Sequence, residues 1–230
     1  MAKPALSEPY FGPDLFTFLR ELSRNNRRDW FLKNKARYES SVQAPAVRFI
    51  EAMGAPLERV SHHLVADARA FGGSLGRIYR DTRFSKDKSP YRTTVGIHFS
   101  HEGAKGSGEH FPGFYLHIAP GESMVYSGVW RPEAPAATRI RQAIVSRSAE
   151  WAKLRRHGIE VEGDSYARVP AGFDKDHPMA EDLKRKDFYA RRAFKDSEVT
   201  GPKFGSVFLA ACKGLDPLNR FLAEAMGVDW

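Results

Sequence analysis

The 230-residue chain has a single cysteine, Cys212, so no disulfide framework can form within it, and a reducing compartment fits. Cys212 closes an apolar helical run, F-G-S-V-F-L-A-A-C, with no electropositive setting around it, which reads as a buried structural thiol rather than a nucleophile. No window approaches the ~20 apolar residues of a membrane span. The first residues, M-A-K-P-A-L-S-E-P-Y, lack the apolar centre of a signal peptide. A cytoplasmic protein without membrane contact is expected. Also missing are G-x-x-x-x-G-K-[ST], a G-x-G-x-x-G after a strand and H-E-x-x-H. These absences exclude the common nucleotide-binding and metalloprotease machineries in recognisable form, and they imply no cofactor and no particular reaction.

What the chain does have is basic charge, and that charge is local. Arg77 to Arg92 (R-I-Y-R-D-T-R-F-S-K-D-K-S-P-Y-R) holds six Lys or Arg and two Asp, and Lys184 to Lys195 (K-R-K-D-F-Y-A-R-R-A-F-K) holds six and one. Removing these +4 and +5 segments from the formal +8 of the whole leaves −1 for the remainder. Concentrated charge points to an anion-binding surface more than to a solubilising coat.

Apolar residues at 42%, with 12% aromatics, are ample for a buried core. Pro13-Asp14 begins a helix with Leu15, Phe18, Leu19 and Leu22 on one face, and Asn25-Asn26 ends it. Asn26 is expected to cap a second helix that aligns Trp30, Asn34 and Tyr38. Val47 to Leu64 keeps helical spacing with a bend near residue 55 from Gly54 and Pro56. From Gly72-Gly73 the period becomes two: Val95, Ile97 and Phe99, then Phe114, Leu116 and Ile118, then Met124 to Trp130 predict an antiparallel meander. The stretch 101–110 reads as an exposed loop. Ala136 to His157 is expected as one helix. After a loop to about Pro178 follow a short helix, a strand-like Phe188 to Phe194 and two helices, the last starting at Asp216-Pro217. The expectation is one α+β domain over 1–230, with an N-terminal helical layer (about 13–66) packed on a mostly antiparallel sheet (body about 77–195) and C-terminal helices (about 201–226).

The candidate ligand-binding set is Arg77, Arg80, Asp81, Arg83, Lys86, Asp87, Lys88 and Arg92. In an extended chain Arg77, Asp81 and Arg83 share one side and Ile78, Arg80, Thr82 and Phe84 the other. Such a chain cannot bury Arg80 without a carboxylate or a groove. Converging guanidinium forks accept paired oxygens, so phosphate or carboxylate is the natural ligand, with Asp81 and Asp87 orienting the cations. The competing reading is an ion-pair network that fixes a loop. His98 and His117 fall on the polar face of their strands with Tyr115, Tyr126 and Trp130 nearby, and without regularly spaced carboxylates no metal site is expected there. His101, Glu102, Glu109 and His110 sit in the Gly-rich loop and read as solvated. Ser85-x-x-Lys88 matches a Ser-Lys nucleophile spacing but lacks the companion S-D-N and K-T-G. In the second cluster Phe188, Tyr189 and Phe194 among the cations fit either base stacking or a charged edge strand.

The run R-x-x-R-D-x-R-F-S-K-D-K-x-P-Y-[KR]-T at Arg77 to Thr93 resembles the signature of a bacterial and fungal family catalogued as domain of unknown function 2461. The blocks at Asn25 to Glu39, Gly113 to Ser123, Gly128 to Pro132 and Asp176 to Phe188 agree with it. The resemblance implies a single full-length domain and supplies no mechanism. The function expected from the residues is an Arg/Lys-rich site for a phosphate-bearing small molecule or a nucleic-acid backbone. Asp81 or His117 is the proton carrier if chemistry occurs. The alternative is a non-enzymatic module that docks an acidic protein or a second copy of itself.

Overall fold

The computed structural model describes residues 9–104 and 110–230. Helix α1 (Pro13–Arg24) has proline at its start, Asp14 in its first turn and Leu15, Phe18, Leu19 and Leu22 buried. The backbone and side-chain amides of Asn25 both donate to Glu21 O, at 3.0 and 2.9 Å, and stop it. The expected second helix is divided at Asn34, whose side chain turns back to Trp30 O (2.9 Å), giving α2 (Arg28–Lys33) and α3 (Lys35–Tyr38). A π-helical turn, Glu39–Gln43, leads into α4 (Ala44–Glu58). Pro56 is accommodated inside α4, and Leu64 leaves the helical pattern for strand β1 (Leu64–Val65).

Strands β2 (Val95–His101), β3 (Gly113–Ile118) and β4 (Ser123–Val129) form the predicted meander, in an antiparallel sheet of order β1-β2-β3-β4-β5. Beyond β1, the same edge of β2 is covered by an isolated bridge from Leu75 to Ile97. His101 is a correction to the exposed-loop expectation: it ends β2, is buried, and its Nε2 lies 2.9 Å from Asp229 O. Glu109 lies outside the described residues. The helix expected over 136–157 is two, α5 (Ala134–Ser146) and α6 (Ser148–Arg156). The break is at Arg147, whose guanidinium lies 4.3 Å from the Phe221 ring centroid and donates to Glu224 (2.6 Å), so anchoring to the C-terminal helix outweighs helical continuity.

Helix α7 (Ala180–Leu183), edge strand β5 (Phe188–Phe194) and α8 (Asp196–Val199) follow, and α9 (Phe204–Met226) completes the chain. No helix begins at Asp216: α9 runs through Pro217. The Asp216 carboxylate accepts from Trp230 Nε1 (2.7 Å) and Arg220 (3.2 Å) instead of capping. Burial of Phe208, Cys212, Leu215, Leu218 and Phe221 along α9 outweighs the single backbone hydrogen bond that a proline forfeits. Gly227, at φ 77°, ends the helix in the left-handed conformation.

The fold is thus α+β, and the two faces of its sheet differ. Ile97, Phe99, Leu116, Val125 and Ala190 are buried in the core that α4 and α9 share. The opposite face alternates with them and remains partly open: His98, Tyr115, His117, Tyr126 and Tyr189 are half-buried or exposed. Among the described residues no helix is long and apolar enough to cross a membrane.

Candidate functional site

The basic segment 77–92 is an irregular hairpin, not the extended strand its alternating charges predict. Arg80 N–H donates to Pro90 O (2.9 Å), Arg92 N–H donates to Ile78 O (2.7 Å), and Tyr79 and Tyr91 form one isolated bridge. The base of the hairpin is clamped to the helical layer. Tyr91 stacks on Phe31 with centroids 4.1 Å apart, and Asn26 brackets its peptide: Asn26 Nδ2 donates to Tyr91 O (2.8 Å) and Tyr91 N–H donates to Asn26 Oδ1 (3.0 Å). Asn26 is therefore a tertiary clamp and not the expected cap, since α2 has Arg27 at its N-cap with no side-chain hydrogen bond.

This clamp walls a surface cavity of about 560 Å³, lined among others by Arg80, Asp81, Asp87, Ser89, Arg92 and Thr94. Arg80 is largely covered and tied down: Nη1 donates to Asp87, to Ser89 Oγ (2.6 Å) and to Ser89 O (3.3 Å). Asp87 also accepts from the Ser89 hydroxyl and from Ser89 N–H (2.9 Å). These Ser89 bonds first, then Arg80, hold the Asp87 carboxyl down to about 2, well below the usual carboxylate range. Asp81 belongs to a second pair: Arg83 Nη2 donates to its Oδ2 (2.7 Å) and Arg83 Nε to its Oδ1 (3.0 Å), so its pKa is lowered too. A carboxylate held ionised by a guanidinium is placed to orient charge rather than to carry a proton.

The structure thus gathers Arg80, Asp81, Asp87 and Arg92 at one cavity. Arg83 points away from it into solvent, 77% exposed, so Arg80 and Arg83 form two separate ion pairs instead of one shared site. Arg77 lowers the Asp81 pKa by its charge, Lys88 Nζ donates to Thr82 O (2.9 Å), and Lys86 is exposed. None of these three lines the cavity. Among the described residues no hydrogen bond joins Ser85 to Lys88, and neither lies on a helix, so the Ser-Lys nucleophile geometry is absent there. Because Asp81 and Asp87 each neutralise one arginine, Arg92 is the lining cation without a carboxylate partner among the described residues.

Arg92 also joins the cavity to the open face of the sheet, where its charge acts on both His98 and Tyr115. His98 and His117 are not directly opposite each other. His98 pairs with Tyr115 and His117 with Gly96, which sets Tyr115 between the imidazoles, 4.5 Å from His98 and 6.2 Å from His117 by centroid. Burial lowers the pKa of both histidines, and Arg92 adds to the effect at His98, so both are neutral at pH 7. Among the described residues no three His, Cys, Asp or Glu side chains converge as a ligand set. The rings continue across the strands. Tyr115 stacks beside Tyr126 (6.0 Å), Tyr126 meets Tyr189 edge-on (5.5 Å), and Tyr189 stacks with Trp130 (5.5 Å), which is 54% exposed. Sequence reading placed these rings near one another but missed their order, because strand register is not printed in periodicity.

The second basic cluster is mostly engaged within the fold. Lys184 pairs with Glu181 (2.6 Å), Arg185 with Asp182 (3.0 Å), Arg191 with Glu162 (3.0 Å) and Arg192 with Glu198 (3.2 Å). Buried Arg141, hidden in the apolar pattern of α5, donates to Leu183 O (2.7 Å) and Arg185 O (2.5 Å) and ties the segment to α5. Asp187, also buried, receives Arg131 N–H (2.9 Å) and Asp164 N–H (3.1 Å). The edge-strand alternative for Phe188–Phe194 is what the structure shows.

Among curated proteins and among solved structures no match to the chain is found. The family described as Conserved hypothetical protein (DUF2461) matches residues 14–221, a span that takes in the Asn26 clamp, the cavity, the open sheet face and most of α9. The chain belongs to that family.

Proposed function

We propose that the protein binds a phosphate-bearing ligand, in the cytoplasm, at the cavity between α1 and the basic hairpin. The observation that carries this reading is Arg92: a cavity-lining guanidinium with no carboxylate partner among the described residues, beside an Arg80 whose position is already fixed by Asp87 and Ser89. A preorganised fork and a free one suit an anion with several oxygens, and hydroxyls at Thr93 and Thr94 add neutral donors on the same wall. Binding rather than proton transfer is the reading, since Asp81 and Asp87 are both held ionised by their partners. Isothermal titration with inorganic pyrophosphate at low ionic strength tests it. Saturable binding that Arg92→Ala weakens at least tenfold supports the site, and heats that are absent or identical in the variant rule it out.

A second reading, docking of an acidic protein or a second copy, draws on a different observation. Phe84 at the hairpin tip is 94% exposed and Phe71 is 75% exposed, whereas Tyr38 and Tyr91 are buried. An exposed ring of this size on a basic hairpin, as at Phe84, is the kind of anchor that interfaces use. Light scattering of wild type and Phe84→Ser across a concentration series separates self-association from a monomer.

A further inference from the structure

We propose that the open face of the sheet is a stacking platform for the bases of a single-stranded nucleic acid whose phosphates reach Arg92; this rests on the anion site proposed above and names its ligand class. The platform is one register line. His98, Tyr115, Tyr126 and Arg191 lie directly opposite one another on β2, β3, β4 and β5. With neighbouring strands ~4.8 Å apart the line is roughly 14 Å long, the scale on which an open sheet stacks two or three bases. Rings on such a face can stand upright or lie down, and only the second presents a π surface. Tyr115 lies down: a methyl group built on Gly96 would sit 2.6 Å from the Tyr115 hydroxyl and 2.9 Å from its ring, so the ring covers the glycine.

The ends of the line carry the charge that bases and phosphates need. Arg92 stands at the β2 side, close enough to act on His98 and Tyr115. At the β5 side Arg191 uses Nε on Glu162 and has its Nη1 beside Met124 Sδ (3.8 Å). Past the end of β4, Arg131 holds its guanidinium 5.9 Å from the Trp130 ring centroid. Arg131 does so at φ 44°, a left-handed conformation that disfavours a non-glycine residue. The buried Asp187 carboxylate pins it there through the Arg131 N–H. Of the acidic groups among the described residues, Glu162 is paired with Arg191 and Glu122 acts on His117. The imidazoles of His98 and His117, both with lowered pKa, flank Tyr115 and add no charge beside its ring. Aromatic centre and cationic ends together match a strand whose bases face inward and whose phosphates run along the rim.

The test is fluorescence anisotropy of a labelled oligouridylate and an oligothymidylate of about ten nucleotides, a length within the usual site sizes, with inorganic pyrophosphate titrated in parallel. The expected result is binding that weakens with salt by about −0.7 in the log-log slope per phosphate neutralised. Tyr126→Ala should reduce it about tenfold or more while Tyr126→Phe retains it, since one stacked base is worth roughly a tenfold change. In both, pyrophosphate binding should be unchanged. Trp130→Ala, at a half-exposed ring, repeats the test should Tyr126→Ala fail to fold. Pyrophosphate binding without oligonucleotide binding overturns the platform and leaves the anion site standing. Oligonucleotide binding that the ring deletions do not alter also overturns it, and loss of both ligands overturns the two readings together. Preference for the ribose over the deoxyribose polymer assigns RNA as the source.

Discussion

Replacing Asn26 with alanine isolates the clamp on which the site's geometry depends. Asn26 makes two hydrogen bonds to one peptide, to Tyr91 O at 2.8 Å and from Tyr91 N–H at 3.0 Å, in a part-buried setting. Each is worth about 1 kcal/mol net, and part of the cost of leaving Tyr91 unsatisfied adds to it, so the variant should lose about 2 to 3 kcal/mol. For a chain of this size that is a fall in Tm of roughly 4–12 °C. Asn26→Asp is the sharper probe. It keeps the acceptor for Tyr91 N–H but turns a carboxylate oxygen towards Tyr91 O, so at neutral pH it should be at least as damaging as alanine. Lowering the pH through the carboxylate range should relieve that added damage, because the protonated acid donates again. Tyr91 sits one residue from Arg92, so anion affinity should fall with the clamp. Denaturant titration reads the stability, and amide exchange at Tyr91 and Arg92 reads the hairpin. An Asn26→Ala protein within about 0.5 kcal/mol of wild type, or one destabilised without faster exchange in the hairpin, refutes the clamp.

Gly96→Ala should tip Tyr115 off the strand at small cost in stability, because the clash is with the movable far end of a side chain, while oligonucleotide binding weakens; unchanged binding counts against the flat ring. Because burial depresses the pKa of His98 and His117, protonation favours the unfolded chain. Stability should be full above the ordinary value of about 6.5 and decline as pH falls below it, and His98→Gln should flatten that decline in a pH series of denaturant melts. Asp87 gives the opposite kind of window: its stabilisation is present above the unfolded value of about 3.9 and is lost as pH falls to about 2, so Asp87→Asn should abolish the acid transition of the hairpin seen by NMR. The Cys212 thiol is buried, with its pKa pushed up by that burial, so it should react with a disulfide reagent only at the rate of unfolding; rapid labelling of folded protein contradicts the packing of α9.

The layers of this fold are legible because they follow from period alone: the α1 face and the three meander strands stand where Leu15 to Leu22 and Val95 to Trp130 alternate. Helix ends were less legible. Arg147 breaks a helix for a contact 74 residues away, to the Phe221 carbonyl, and Pro217 is absorbed because α9 is buried on both sides of it. Neither long-range energy is visible in a local window. The basic hairpin was legible as a cluster but not as a geometry. Two Asp among six cations do not say which pairs will form, and the choice of Arg80 with Asp87 and Arg83 with Asp81 leaves Arg92 as the cavity-lining cation without a carboxylate partner among the described residues. Asn26 was visible only as a local capping candidate, because its partner is 65 residues away. The ring line on the sheet required register, which sets Tyr115 against His98 and Tyr126 against both Tyr115 and Arg191.

The most direct measurement of the central claim is the ¹⁵N–¹H NMR spectrum of the arginine side chains and backbone as inorganic phosphate is added at low ionic strength. The Arg92 Nε–H and the Thr93 and Thr94 amides should shift saturably and together, Arg80 should follow in smaller measure because Asp87 and Ser89 already hold it, and solvent-facing Arg83 should not move. Shifts absent at Arg92, or spread without saturation over Arg83 and the other exposed arginines alike, contradict an anion site at this cavity.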